Sequence, residues 1–292
     1  MLDGKKILLG VTGGIACYKA VDIVSRLKKA GADVRVVMTE NACKFVTPML
    51  FREISNNSVA VSLWNDDAEF YAEHIKLAQW ADILVVAPAT ANVCAKFANG
   101  IADDILTSIA LAIPVDKPVL ICPAMNSDMY ANPVTQENLD KLLTLENYFL
   151  VEPDDGLLAC GTTGKGRLPE PQDIVEHIDA TLGEWYGDFV GRHILVTAAG
   201  TREKIDPVRF IGNRSSGKMG YAIARAALSR GALVTLVTGP SSEICPCEAN
   251  VIQVESTQEM YDACMDIFPK VDIVIKAAAV ADYRPHKIAN QK

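Results

Sequence analysis

"KKILLGVTGGIACYKAVDIVSRLKKAGADVRVVM", residues 5–38, decides the fold. Ile7-Leu-Leu-Gly-Val is an apolar run of strand length, and Thr12-Gly13-Gly14 is a turn. From Tyr18 to Ala30 the apolar residues Ala20, Val21, Ile23, Val24 and Leu27 keep close to helical spacing. Gly31 stops that helix, and Val34 to Met38 is the next strand. Strand, glycine loop, helix and strand form a βαβ unit, which pairs its strands in parallel.

The chain repeats this opening about 190 residues later. Ile194-Leu-Val-Thr-Ala is a strand, a longer loop runs from Ala199 to Lys218, and Tyr221 to Arg230 is helical. Gly231 stops the helix, and Leu233 to Val237 is again a strand. Later strands echo each other too: Ala81-Asp-Ile-Leu-Val-Val-Ala and Val271-Asp-Ile-Val-Ile-Lys-Ala. Two such openings predict two doubly wound α/β domains. Asp173 to Leu182 reads as an amphipathic helix closing the first. The expected division is a first domain over 1–182, a linker over 183–191 and a second domain over 192–292. The second shows only three clear strands, which makes it an incomplete Rossmann-like sheet.

Composition narrows the function. The 292 residues are 50% hydrophobic and 22% charged, enough to bury a sizeable core. A net charge of −8 and the lack of a long basic run disfavour nucleic acid and anionic membrane as partners. Glycines break the short apolar N-terminal run, so it reads as a first strand and not a signal peptide, and no stretch is long enough to span a membrane. The eight cysteines form neither a CxxC pair nor a Cys/His zinc pattern. The expectation is a cytoplasmic protein with free thiols.

Parallel sheets place ligands where strands empty into loops. The first exit, Gly13-Gly14-Ile15, opens a helix whose N–H groups suit a phosphate, although an ordinary tight turn has the same look. The second offers Thr39 after a strand, with Phe45 in the apolar stretch behind it. The third is Pro88-Ala89-Thr90-Ala91-Asn92, small residues against which a flat ring can lie, with two directional hydrogen-bonding side chains. The fourth is Pro123-Ala124-Met125-Asn126, which puts a neutral amide between Met125 and Met129. His74 lies at the start of a helix, where a surface or packing role is the plainer reading. Cys160 lies in the glycine-dense GLLACGTTGKGRLPEP, without helix or strand pattern, a better setting for a reactive thiol than for a structural one. In the second domain Gly212-Asn-Arg-Ser-Ser-Gly217 precedes a helix, and its hydroxyls, N–H groups, Arg214 and Lys218 suit a phosphate chain. It is not a P-loop, since GxxxxGK[ST] is absent.

GVTGGIACYKA, HIKLAQWADILVVAPATAN, the PAMNSDM of 123–129 and the ACG of 159–161 together resemble the flavin-containing cysteine decarboxylases. TAAGTREKIDPVRFIGNRSSGKMG (197–220) and AAAVADYRP (277–285) resemble phosphopantothenate–cysteine ligase. The pair, in this order and over the whole chain, resembles the bifunctional decarboxylase/ligase family of coenzyme A biosynthesis. That resemblance implies a flavodoxin-like first domain binding FMN through Gly13, Gly14, Ile15, Thr39, Phe45, Ala89, Thr90, Asn92 and Met125. It implies active-site roles for His74 and Asn126, and Cys160 on a substrate flap. It also implies a trimer-based homo-oligomer, a dodecamer, with sites shared between subunits. For the second domain it implies CTP, Mg²⁺, 4′-phosphopantothenate and cysteine as ligands and substrates. Arg209 and Asn213 match family positions concerned with the acyl-cytidylate intermediate; Ser215, Ser216, Lys218, Ala277, Ala278, Asp282 and Lys292 are the other candidates for the substrate site, with Asp282 expected to hold Mg²⁺ or the nucleotide. The family's ligase domain continues with a lysine cluster where only Lys287 and Lys292 stand, so the expectation is an active decarboxylase and an impaired ligase.

The chemistry suits these residues. A carboxylate on a saturated carbon cannot leave unaided. Oxidation of the neighbouring CH₂–SH of 4′-phosphopantothenoylcysteine to a thioaldehyde places a C=S group β to it, and that group accepts the electrons. An arginine clamp would stabilise the ground state of a charge about to vanish, whereas the Asn126 amide gives direction with weaker charge stabilisation. His74 is the expected base for the thiol proton, and Cys160 the donor that completes 4′-phosphopantetheine. The competing readings are a non-catalytic flavodoxin-like electron-transfer or regulatory flavoprotein and a related flavin-dependent transferase.

Overall fold

A computed structural model describes residues 2–64, 73–157, 161 and 163–292. The chain forms two compact units, Met1–Thr181 and Leu182–Lys292.

In the first unit, β1 (Lys6–Val11), α1 (Cys17–Lys29) and β2 (Asp33–Met38) are the βαβ opening. There follow α2 (Pro48–Ser55), β3 (Val59–Ala60), α3 (Glu73–Trp80), β4 (Ile83–Ala89), α4 (Ala91–Asn99), α5 (Ile105–Ala112) and β5 (Val119–Pro123). Next come α6 (Ser127–Ala131), α7 (Pro133–Leu143), β6 (Tyr148–Leu150), β7 (Asp154–Leu157), β8 (Thr163–Arg167) and α8 (Pro171–Tyr186), whose residues from Leu182 onward belong to the second unit. Six strands make one parallel sheet in the order β3-β2-β1-β4-β5-β6. Without the two-residue edge strand β3, that is the flavodoxin-like order. Alternate residues explain why both faces are covered. Leu8, Leu84, Val86, Val119 and Ile121 pack on Val93, Leu106, Ile109 and Leu139. Their neighbours Ile7, Leu9, Val34, Ile83 and Val85 are fully buried as well. Near-continuous apolar strands of this kind are the mark of a parallel sheet with helices on both sides. The chain steps outward from β1 through β2 to β3, then returns to the other side of β1 with β4. The switch point therefore lies at the carboxyl ends of β1 and β4.

Two sequence expectations need correction here. The glycine-dense stretch after residue 153 is not patternless: β7 and β8 pair antiparallel as a hairpin. The helix expected over 173–182 runs over Pro171–Tyr186, because the helical spacing continues into the residues assigned to the linker.

The second unit contains β9 (His193–Ala198), the antiparallel pair β10 (Arg202–Lys204) and β11 (Phe210–Gly212), and α9 (Lys218–Leu228). β12 (Leu233–Thr238), β13 (Asn250–Gln253), α10 (Thr257–Ile267) and β14 (Ile273–Lys276) complete it. Its main sheet is parallel, in the order β13-β12-β9-β14, the same turn-back as β3-β2-β1-β4. The three expected strands are thus four. β13, NVIQ, was hidden because it is short, partly exposed and polar at both ends. Ile194, Val196 and Leu236 pack on Tyr221, Ala224 and Ala227 of α9, while Leu195 and Val237 meet Met260 of α10 on the other face. Among the described residues, no helix is long and apolar enough to cross a membrane.

Candidate active site

Thr12 follows β1 directly and ties it to the neighbouring strand exit. Its Oγ1 donates to the Pro88 carbonyl at 2.8 Å and accepts from the Thr90 N–H at 3.1 Å. The next residue, Gly13, leaves no room for a side chain: a Cβ there would meet Asn41 Cβ at 2.4 Å. Glycine is what lets the β1 and β2 exits touch. Thr90 caps α4 by accepting from Val93 N–H. On the next strand, Ala124 N–H donates to Ala89 O at 3.0 Å, and Met125 N–H donates to Gly166 O of the hairpin at 3.0 Å. Gly166 has φ +146°, and a Cβ there would strike Met125 O at 2.3 Å. The hairpin therefore packs on the β5 exit only because residue 166 is glycine.

These exits enclose a cavity of about 1130 Å³. Gly13, Gly14, Ile15, Thr39, Thr90, Asn92, Met125 and Asn126 all line it, eight of the residues singled out from the sequence. Asn126 is at once a cap and a wall. Its Oδ1 accepts from Asp128 N–H at 2.8 Å at the start of α6, which fixes the amide plane. Two further expected flavin contacts are not among the lining residues: Ala89 is buried in the end of β4, directly before Thr90, and Phe45 is exposed. His74 is the second residue of α3, half-buried, and does not line its own chain's cavity. Cys160 lies outside the described residues.

Several charged residues line the cavity as well. Lys19 is 7% exposed, and its Nζ donates to Leu168 O at 2.9 Å, Pro169 O at 3.4 Å and Glu170 Oε1 at 3.0 Å. The signal was present: Lys19 sits four residues before Ile23 and eight before Leu27, on the buried stripe of α1. Lys96 Nζ meets Asp103 Oδ1 at 2.6 Å and Asp104 Oδ2 at 3.5 Å, and all three line the cavity. Its hydrogen bond to Asp103 raises the Lys96 pKa, and the same bond holds the Asp103 carboxyl below the usual carboxylate range. Arg167 also lines the cavity and pairs with Glu170. Lys19 first, then Arg167, holds the Glu170 carboxyl below its ordinary pKa. Burial pushes the Cys94 thiol up to about 12 and raises Cys122 as well, so neither core thiol is a nucleophile near neutral pH.

In the second unit, the 277–281 segment leaves β14 beside the β9 exit. Ala279 N–H donates to Ala199 O at 2.7 Å, and Ala278 N–H reaches Thr197 Oγ1 at 3.3 Å. Asn213 Nδ2 donates to Ala279 O at 3.1 Å and Val280 O at 2.8 Å, clamping the segment. Arg209 Nε donates to the buried Asp206 Oδ2 at 2.6 Å. Lys218 opens α9, its N–H reaching Ser216 Oγ at 3.4 Å, while the Ser216 carbonyl accepts from Ser241 Oγ at 2.7 Å. Ala277 extends from β14, bonded to Thr197 O. Asp282 and Lys292 are exposed, and Ser215 lies in the loop before α9. Among the described residues, no three His, Cys, Asp or Glu side chains are grouped to hold a metal.

The Flavoprotein family model matches residues 1–183, and the model for the DNA/pantothenate metabolism flavoprotein C-terminal domain matches 189–292. A coenzyme A biosynthesis bifunctional protein CoaBC from Bacillus subtilis is 46% identical over 294 residues, spanning 100% of this chain and 72% of that protein. Its counterpart from Vibrio vulnificus is 49% identical over 293 residues, spanning 100% of this chain and 71% of the relative. Among solved structures, a Cys-to-Ser mutant of PPC decarboxylase complexed with pantothenoylaminoethenethiol is 32% identical with TM-score 0.54, covering 60% of this chain and 96% of its own. The FMN binding protein AtHal3 is 32% identical with TM-score 0.52, covering 60% of this chain and 94% of its own. With both domain models in order and full-chain identity at this level, the chain belongs to the family of coenzyme A biosynthesis bifunctional proteins.

Proposed function

We infer that the first unit binds FMN and decarboxylates 4′-phosphopantothenoylcysteine to 4′-phosphopantetheine, and that the second ligates 4′-phosphopantothenate to cysteine using CTP and Mg²⁺. The observation that carries the first reading is the switch-point cavity, in which Gly13, Thr90, Asn92 and Asn126 converge. The residues fit a flavin nucleotide. The cavity, at about 1130 Å³, is somewhat larger than the usual small-molecule site and has room for cofactor and substrate together. Ala91 and Ala124 are small enough for a ring to lie against backbone. α1 begins without a side-chain cap, and although Cys17 N–H and Lys19 N–H are bonded to Gly14 O and Ala16 O at 3.0 Å, the positive end of the helix faces the cavity through Gly14, Ile15 and Ala16.

Bound FMN supplies the two-electron oxidation of the substrate's thiol-bearing carbon and returns the electrons as product forms. Asn126, its Oδ1 engaged by Asp128 N–H, presents its amide as a neutral donor to the substrate carboxylate. Met125 and Met129 line the cavity, and with substrate bound their apolar side chains would limit water around the carboxylate, which favours loss of a charged group. When the C–CO₂⁻ bond breaks, its electron pair enters the adjoining C=S and leaves an enethiolate, which the Cys160 thiol protonates. His74 takes the thiol proton at the outset. It does not line its own chain's cavity, and in the trimer-based oligomer that the family resemblance implies it would serve the site of a second copy. The protein works in the cytoplasm on small-molecule substrates.

In the second unit Asn213, Ser216, Lys218 and the 277–281 segment would hold the nucleotide and its acyl adduct, with Arg209 beside them and Asp282 toward Mg²⁺. The test of the first reading is conversion of 4′-phosphopantothenoylcysteine by the FMN-loaded full chain, followed by mass spectrometry. Formation of 4′-phosphopantetheine is expected. Stoichiometric FMN with no consumption of substrate would favour the electron-transfer reading instead. For the second unit, the measurement is Mg²⁺-dependent CMP release from CTP in the presence of both 4′-phosphopantothenate and cysteine.

A further inference from the structure

Three cationic side chains line the cavity of the first unit, Lys19, Lys96 and Arg167, and each is engaged by a carboxylate of the same chain. Lys19 and Arg167 share Glu170. Lys96 is held by Asp103 and Asp104, which belong to the connection between α4 and α5. The two aspartates differ. Asp104 is also the cap of α5, accepting from Thr107 N–H at 2.8 Å and from Thr107 Oγ1 at 2.9 Å. Asp103 has no part in that cap, and it makes the shorter contact with Lys96. Lys96 lies one helical turn beyond Asn92, on the same face of α4. α4 in turn leaves β4 beside the β5 exit that carries Asn126, through the Ala124 N–H to Ala89 O bond.

We propose that Asp103 is a rate-setting positioning residue: by neutralising Lys96, it keeps an ammonium from stabilising the substrate carboxylate that must be lost. This rests on the decarboxylase reading of the same cavity. The physical reason is that the substrate's charge disappears in the step that is catalysed. A loose ammonium near that carboxylate would favour the bound ground state over the transition state, tightening binding and slowing release of CO₂. A site that must hold an anion without stabilising it too well has to keep its cations occupied. Here the occupants are built into the wall.

The test uses the FMN-loaded full chain and single-turnover CO₂ release from 4′-phosphopantothenoylcysteine as a function of substrate concentration. Asp103→Asn, which leaves Lys96 only the longer Asp104 contact at 3.5 Å, is expected to lower both the half-saturating concentration and the limiting rate several-fold. Asp103→Glu, which keeps the charge, should restore both. The double variant Lys96→Met/Asp103→Asn, with no ammonium to release, should return the rate toward that of the unmodified chain. A half-saturating concentration that is unchanged or raised in Asp103→Asn, with a normal thermal melt, overturns the proposal. So does tighter binding at an undiminished rate, which would mean that Lys96 meets a group that survives the reaction, such as the phosphate. Failure of the unmodified chain to release CO₂ would instead overturn the decarboxylase reading itself.

Discussion

Asn126 shows how one side chain can be a helix cap and a cavity wall. Aspartate caps helices as well as asparagine does, so Asn126→Asp keeps the bond from Asp128 N–H and should fold and bind FMN. It also sets a like charge against the substrate carboxylate, and decarboxylation should fall about a hundredfold or more, as followed by CO₂ release. A different step tests His74. His74→Asn should abolish bleaching of the flavin by substrate while leaving the resting flavin spectrum intact. Bleaching at the normal rate would remove it as the base. Cys160→Ser should still release CO₂ but accumulate the oxidised enethiol product. At this scale the sequence was informative where chemistry follows a strand end, as at Thr90 and Asn126, because strand exits can be located from apolar runs. It was uninformative about Asp103 and Arg167, whose roles depend on which charge folding brings alongside. It also could not separate His74 from the cavity, since that depends on where α3 lies.

The β7–β8 hairpin illustrates what happens at the level of the element. Its glycines and threonines disguise it as a loop, because its strands are held by pairing with each other and by Gly166 beneath Met125, not by an apolar period. Lys19 fastens the chain just beyond it through three hydrogen bonds to residues about 150 positions away, a contact no local pattern foretells. Lys19→Met fills the same space without the donors and leaves buried carbonyls at Leu168 and Pro169 unsatisfied. The expected cost is about 1–3 kcal/mol in a thermal or urea melt, with faster proteolysis in the hairpin. The Glu170 end of the tie gives a pH signature. Its folded pKa is depressed, chiefly by Lys19, so the stabilisation is present above the unfolded value of ~4.3 and is lost as pH falls through the lower, folded pKa. Acid denaturation of Glu170→Gln should accordingly be less steep below that value than that of the unmodified chain.

On the scale of the whole molecule, one topological device occurs twice: a sheet that grows outward, turns back across its first strand and opens a crevice there. That much was legible because each βαβ opening is local and strongly periodic, whereas β13 escaped notice for want of an apolar run. The two sheets differ in how well they are covered. β1, β4 and β5 are buried almost throughout, whereas Ile273, Val274 and Ile275 of β14 are only partly so. Hydrogen exchange should therefore be slower in β1, β4 and β5 than in β13 and β14, and the second unit should be the first to yield to protease. Equal protection of the two sheets would count against this ranking. The central claim is that the first unit's switch-point cavity, through Asn126, removes CO₂ from 4′-phosphopantothenoylcysteine. Its most direct measurement is CO₂ release by the unmodified chain and by Asn126→Asp, each with FMN shown to be bound. The expected result is CO₂ matched by 4′-phosphopantetheine in the former and near-silence in the latter. Equal release from both, or none from the unmodified chain with its flavin in place, would contradict it.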